Sequence, residues 1–104
     1  MFVQVGGASG QVELIEPEDC KRFHVVAVGS GASPAAVAEA LGVWAAGATD
    51  DHVWIRVEAV RAAAAGRVGP GWAEEFDGMI GYARSKGWLN EAGDAIAAHV
   101  ESGG

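Results

Sequence analysis

The sequence has 104 residues, 50% of them hydrophobic and 20% charged, with a formal net charge of −7. A chain of this length and globular composition builds one domain around one core. A nucleic-acid partner is not expected, because phosphate backbones bind clustered cations and the seven basic residues are scattered. No apolar stretch approaches the roughly 20 residues of a membrane helix. The single cysteine, Cys20, excludes an internal disulfide and fits a reducing compartment.

We therefore predict a small acidic cytoplasmic protein without nucleic-acid or membrane partners. Abundant Ala and Gly, with Arg preferred to Lys, are typical of a high-GC genome and indicate a bacterial source.

The N-terminal part of the chain contains three β-prone segments. FVQV (2–5) and QVELIE (11–16) flank a Gly-rich connector, which predicts a hairpin. FHVVAVG (23–29) is rich in β-branched residues and predicts a third strand.

A helix is predicted to begin at Ser33-Pro34, with Ser33 as N-cap and Pro34 in the first helical position. Gly42 or Gly47 would end it. The segment 29–34 before this helix differs from the dinucleotide-binding fingerprint, because Pro34 stands where that pattern has its third glycine. An ordinary strand-to-helix loop is the expectation there.

In the second half, HVWIRV (52–57) alternates strictly between apolar and other side chains and predicts a strand. An Ala-rich helix is expected over 58–65. The clearest helix spans 70–86, where Trp72, Phe76 and Ile80 belong to an apolar stripe at helical spacing.

The tail, residues 88–101, fits either a helix or a strand. A turn at 91–94 interrupts the helical pattern, so we favour a final strand containing Ile96, Ala98 and Val100. The predicted fold is a single α+β domain spanning 1–104. It would have a mixed or mainly antiparallel sheet of three to five strands and about three helices packed on one face, with 1–10 and 102–104 as candidate flexible ends.

If the three better-defined strands share a sheet, alternation gives it two unlike faces. One face is apolar and predicts the core: Phe23, Val25, Ala27, Val53, Ile55, Val57, Ile96, Ala98 and Val100. The opposite face includes all three histidines of the chain, and its residues are His24, Val26, Val28, His52, Trp54, Arg56, Ala97, His99 and Glu101.

Two interpretations of the histidine face remain open, and they are compatible. The first is a small-ligand site with these candidate residues: His24, His52, Trp54, Arg56, Trp88 and His99. The tryptophans would supply apolar walls, and Arg56 would hold a carboxylate or phosphate. His52, His99 and Glu101 are the candidates for acid-base chemistry. The second interpretation is the contact surface of a homo-oligomer, specifically a homodimer, acting as a non-catalytic interaction or accessory subunit.

A metal site is the weaker interpretation of the same face. His24, His52 and His99 could supply three imidazoles to a first-row metal if they met in space. They are far apart in the sequence and lack the short spacing of zinc signatures. We predict neither a metal nor another cofactor.

Overall fold

The computed structural model describes residues 1–6, 12–28 and 33–103, apart from the side chains of 102 and 103. Seven strands and three α-helices follow one another there. In chain order they are β1 (Phe2–Gly6), β2 (Val12–Ile15), β3 (His24–Val28), α1 (Pro34–Leu41), β4 (Ala45–Ala48), β5 (Val53–Arg56), α2 (Val57–Ala64), α3 (Trp72–Ser85), β6 (Ala95–Ala98) and β7 (Val100–Gly103). A 3-10 turn, Gly42–Trp44, connects α1 to β4. The predicted α+β class is confirmed.

Four strands form a mixed sheet in the order β2-β1-β3-β7. β1 pairs antiparallel with β2, which confirms the pairing of the predicted hairpin. β3 lies between β1 and β7 and runs parallel to both. The inner face of this four-stranded sheet carries apolar, buried side chains: Val3, Val5, Leu14, Val25 and Ala27.

Two predicted loops and part of the predicted flexible ends fall outside the described residues. They are residues 7–10 of the hairpin connector with residue 11 of the next predicted strand, residues 29–32 of the strand-to-helix loop, and residue 104. The candidate flexible segment 1–10 also includes β1, which has a strand on either side.

A second, antiparallel sheet has the order β4-β5-β6. Of the three strands grouped together from the sequence, β3 belongs to the first sheet and β5 to the second. The third predicted strand is divided between them: β6 lies in the second sheet and β7 in the first, with His99 alone between them. β4 was not predicted. Its sequence, AAGA, lacks the β-branched and aromatic residues typical of strands, and its pairing with β5 contains an irregularity between Ala45 and Gly47.

The strand predicted at 52–57 is shorter than its pattern indicates. β5 ends at Arg56, and Val57 begins α2 with its backbone N–H donating to the Asp94 carbonyl at 2.9 Å. Val57 therefore does not continue β5 as predicted, although it is half-buried and packs against the core. Val53 and Ile55 are fully buried, as alternation predicts.

The helices and the inner faces of both sheets enclose one core. Ser33 caps α1 by accepting a hydrogen bond from the Ala36 N–H at 3.3 Å. The stripe on α3 is buried as predicted: Trp72, Phe76, Ile80 and Ala83. Among the described residues the longest helix, α3, has 14 residues, and none of the helices is long and apolar enough to cross a membrane.

Gly81 lies on the exposed side of α3, and no heavy atom of the described residues lies within 4 Å of the Cβ that an alanine would add. We expect Gly81→Ala to raise the free energy of unfolding by about 1 kcal/mol, because alanine favours the helix and restricts the unfolded chain. Chemical denaturation measures the change.

Gly6→Ala is the control with the opposite sign. Its Cβ would lie 2.6 Å from the Val28 carbonyl oxygen, at a backbone φ of +95°. Stabilisation by Gly6→Ala, or destabilisation by Gly81→Ala, would contradict this account of the two glycines.

Candidate functional site

The outer face of the second sheet forms the floor of a pocket of about 550 Å³. Trp54 on β5 and Ala97 on β6 are direct cross-strand partners, so their side chains lie on the same face. Their sequence neighbours Val53, Ile55, Ile96 and Ala98 point into the core. Strand alternation therefore turns Trp54 and Ala97 away from the core and into the pocket.

Four of the six predicted ligand residues line this pocket: His52, Trp54, Trp88 and His99. His24 does not line it but stacks on His99, with ring centroids 5.5 Å apart. Arg56 is exposed and lies in a separate depression of about 300 Å³ beside Glu58 and Asp94. The structure thus brings five of the candidates to one region and leaves Arg56 outside it.

Trp88 reaches the pocket through a short pairing that follows α3. Its carbonyl accepts from the Ala97 N–H at 2.7 Å. The turn that permits this pairing is held by Asn90, whose Oδ1 accepts from the N–H groups of Asp94 and Ala95 at 3.0 and 3.1 Å. Trp88 remains 47% exposed and forms a wall at the pocket mouth.

His52 is fixed by a turn centred on Thr49. The Thr49 Oγ1 accepts from the backbone N–H groups of Asp51 and His52 and lies 3.2 Å from His52 Nδ1. The His52 ring meets Trp54 edge to face, with centroids 4.8 Å apart. Its Nε2 is buried and has no hydrogen-bond partner among the described residues, so this nitrogen is shielded from water.

His24, His99 and Glu101 form a second polar group at the pocket's edge. Glu101 Oε2 lies 2.9 Å from His99 Nε2 and 3.5 Å from His24 Nε2. The hydrogen bond with His99, and to a lesser extent the charge of His24, lowers the pKa of Glu101. An ionised carboxylate only accepts hydrogen bonds, so Nε2 of His99 carries the proton. Nδ1 is then the basic nitrogen of the neutral ring.

The three histidines do not meet at one point. His24 and His99 stack on each other, whereas His52 packs against Trp54. In the part of the chain that the structure describes, no three His, Cys, Asp or Glu side chains are grouped so that they could hold a metal ion.

Sequence reasoning missed four lining residues: Phe23, Asp51, Gly87 and Ala97. Ala97 was placed on the correct face but not assigned to the site. Phe23 was assigned to the core with Val25. Phe23 does pack against the core, but it precedes β3, is only half-buried and also lines the pocket. Asp51 carried one available signal, its position next to His52 at the start of a strand.

Burial lowers the pKa of His24, and the opposing attraction of Glu101 is smaller. The unfolded chain therefore binds protons more readily at this site, so stability is present above the unfolded pKa of about 6.5 and is lost as the pH falls towards the folded value. We expect the Tm to fall between about pH 7.5 and 5.5. The fall should be smaller in His24→Phe, which keeps an aromatic ring beside Phe2 without titrating. The same pH dependence in both proteins would argue against His24 as the source.

Comparisons with known proteins assign no relative to this fold or pocket. No protein-family model, no curated protein and no solved structure matches the chain.

Proposed function

We propose that this protein binds a small organic molecule in the pocket above Trp54. The observation that carries the proposal is the pocket's lining: Trp54 and Ala97 as floor, with Trp88 and Phe23 as apolar walls. Pockets that bind small molecules combine a largely apolar and aromatic lining with a few placed polar groups, in volumes of about 300 to 1,000 Å³. The volume here, about 550 Å³, lies within that range.

The ligand suited to this lining has a flat or compact apolar part. Trp54 is half-buried, its ring packs edge to face with His52, and Ala97 is its cross-strand neighbour. A side chain fixed in this way loses little conformational freedom when a ligand packs on it. Burial of apolar surface against the indole rings would supply most of the affinity.

His99 supplies the polar function of the site. Glu101 binds its Nε2 and fixes the tautomer, so the neutral ring keeps Nδ1 as an acceptor. No described residue donates to that nitrogen. A histidine oriented by a carboxylate is also the arrangement that serves as a general base, so the site holds a proton acceptor for a ligand that carries an acidic proton. Acid-base chemistry is therefore assigned to His99, with Glu101 as its positioning residue.

The binding proposal is tested with 5-fluoroindole as a flat aromatic probe, observed by its fluorine NMR signal. We expect broadening of the probe signal by the wild-type protein and loss of that broadening with Trp54→Ala, because the floor of the pocket is removed. Val43→Ala is the matched control, since Val43 is an exposed apolar residue, 83% accessible, that does not line the pocket. Equal broadening by Trp54→Ala and wild type would count against the pocket.

A second copy of the chain is the alternative occupant of this surface. Tyr82 and Trp88 are 57% and 47% exposed and pack edge to face beside the pocket mouth, which favours an aromatic contact between protomers. On this hypothesis the protein is a homodimeric interaction or accessory subunit. The cytoplasmic location and bacterial source remain predictions from the sequence.

The homodimer hypothesis is tested by sedimentation velocity. It predicts a dimer that Tyr82→Ala converts to monomer, because the exposed Tyr82 ring would be lost from the contact. Tyr82 does not line the pocket above Trp54, so this substitution tests the dimer separately from ligand binding. A monomeric wild-type protein at high concentration would rule out the homodimer while leaving ligand binding intact.

A further inference from the structure

The charges around the pocket discriminate among classes of ligand. Of the described residues that line it, Asp51 is the one with a carboxyl group, none is a lysine or arginine, and the others are aromatic, small or histidine. The Asp51 carboxylate is exposed, and it makes no hydrogen bond or ion pair with any described residue. A carboxylate at a pocket wall that no other described residue engages is available to a ligand.

The aromatic lining adds to the same preference. Trp54, Trp88 and Phe23 present π-systems whose faces are electronegative, and such faces attract cations. Tryptophan has the strongest effect of the aromatic side chains, and sites lined by several aromatic rings are known to bind alkylated ammonium groups.

The basic side chains of the neighbourhood lie in other places. Lys21 lines an adjoining groove beyond Phe23 and Trp88. The Lys86 ammonium lies 5.6 Å from the centre of the Tyr82 ring. Arg56, the residue expected to hold an anion, lies in the separate depression beside Glu58. An anionic ligand would therefore face Asp51 without a lysine or arginine in the pocket lining.

We propose that the ligand of this pocket is a small organic cation, a protonated or quaternary amine, held between the tryptophans and Asp51. The inference rests on the proposed function, because it assigns a ligand class to the same pocket.

Three probes of nearly the same shape and different charge test this assignment. They are choline, its neutral analogue 3,3-dimethylbutan-1-ol and the anion 3,3-dimethylbutanoate. Binding is followed at about pH 8, where imidazoles are neutral, through the indole N–H signals of the four tryptophans in proton–nitrogen NMR. We expect choline to bind about tenfold more tightly than the neutral analogue and the anion to bind most weakly.

Asp51→Asn should reduce the affinity for choline by about threefold, the effect of one exposed ion pair, and leave the affinity for the neutral analogue unchanged. The neighbouring Asp50→Asn is the matched control, because Asp50 is exposed and does not line the pocket. Trp88→Leu should also weaken choline selectively, since leucine keeps an apolar wall without a π-face.

The outcomes distinguish the assignment of a cationic ligand from the proposal that the pocket binds a small molecule at all. Choline binding that is strongest in wild type and weakened by Asp51→Asn, but not by Asp50→Asn, supports the cation assignment. Equal or tighter binding of the neutral or anionic probe overturns it and leaves a small-molecule pocket. Failure of all three probes while 5-fluoroindole binds also overturns it. Failure of 5-fluoroindole as well removes the proposed function.

Discussion

The passage of the chain through His99 sets the geometry on which the pocket depends. β6 ends at Ala98 in one sheet, and β7 begins at Val100 in the other. The His99 carbonyl accepts from the Val25 N–H at 3.0 Å, so the crossing point is tied to β3. Its ring is tied to Glu101 by a hydrogen bond and to His24 by stacking. Both the backbone and the ring of His99 are therefore held in place. They fix the position of the pocket floor, on the second sheet, relative to β3 in the first sheet.

The parts of the fold that could be predicted from the sequence are those specified by neighbouring residues. Ser33 caps α1 through the backbone three residues ahead, and the stripe of α3 is set by helical periodicity. The partition into two sheets was missed because period-two alternation is the same on either side of a sheet change. Ala98 and Val100 stand at the same phase of the alternation, so the pattern does not show that they belong to different sheets. The strand at Ala45–Ala48 depends on pairing with β5 and has little β-propensity of its own.

The same distinction applies to the site. His52 and Trp54 were grouped correctly: Trp54 belongs to β5, and the turn at Thr49 holds His52, which precedes β5, against the same face. Arg56 also shares that face, but it lies a further two residues along the strand, about 7 Å from Trp54, and lines another depression. Trp88 joins the pocket only because the turn at Asn90 pairs its segment with β6. Phe23 and Asp51 flank strands and do not belong to them, so alternation could not place their side chains.

The central position of β3 has a consequence for the order of folding. Its two neighbours, β1 and β7, come from opposite ends of the described chain and both run parallel to it. Parallel pairing across long sequence separations requires closure of a long loop before any contact compensates for its entropy. During synthesis, the first three strands and the three helices can emerge before residues 100–103 are available. The group formed by His24, His99 and Glu101 is therefore assembled late, because Glu101 lies in β7. An intermediate that lacks β7 exposes the edge of β3 to other chains.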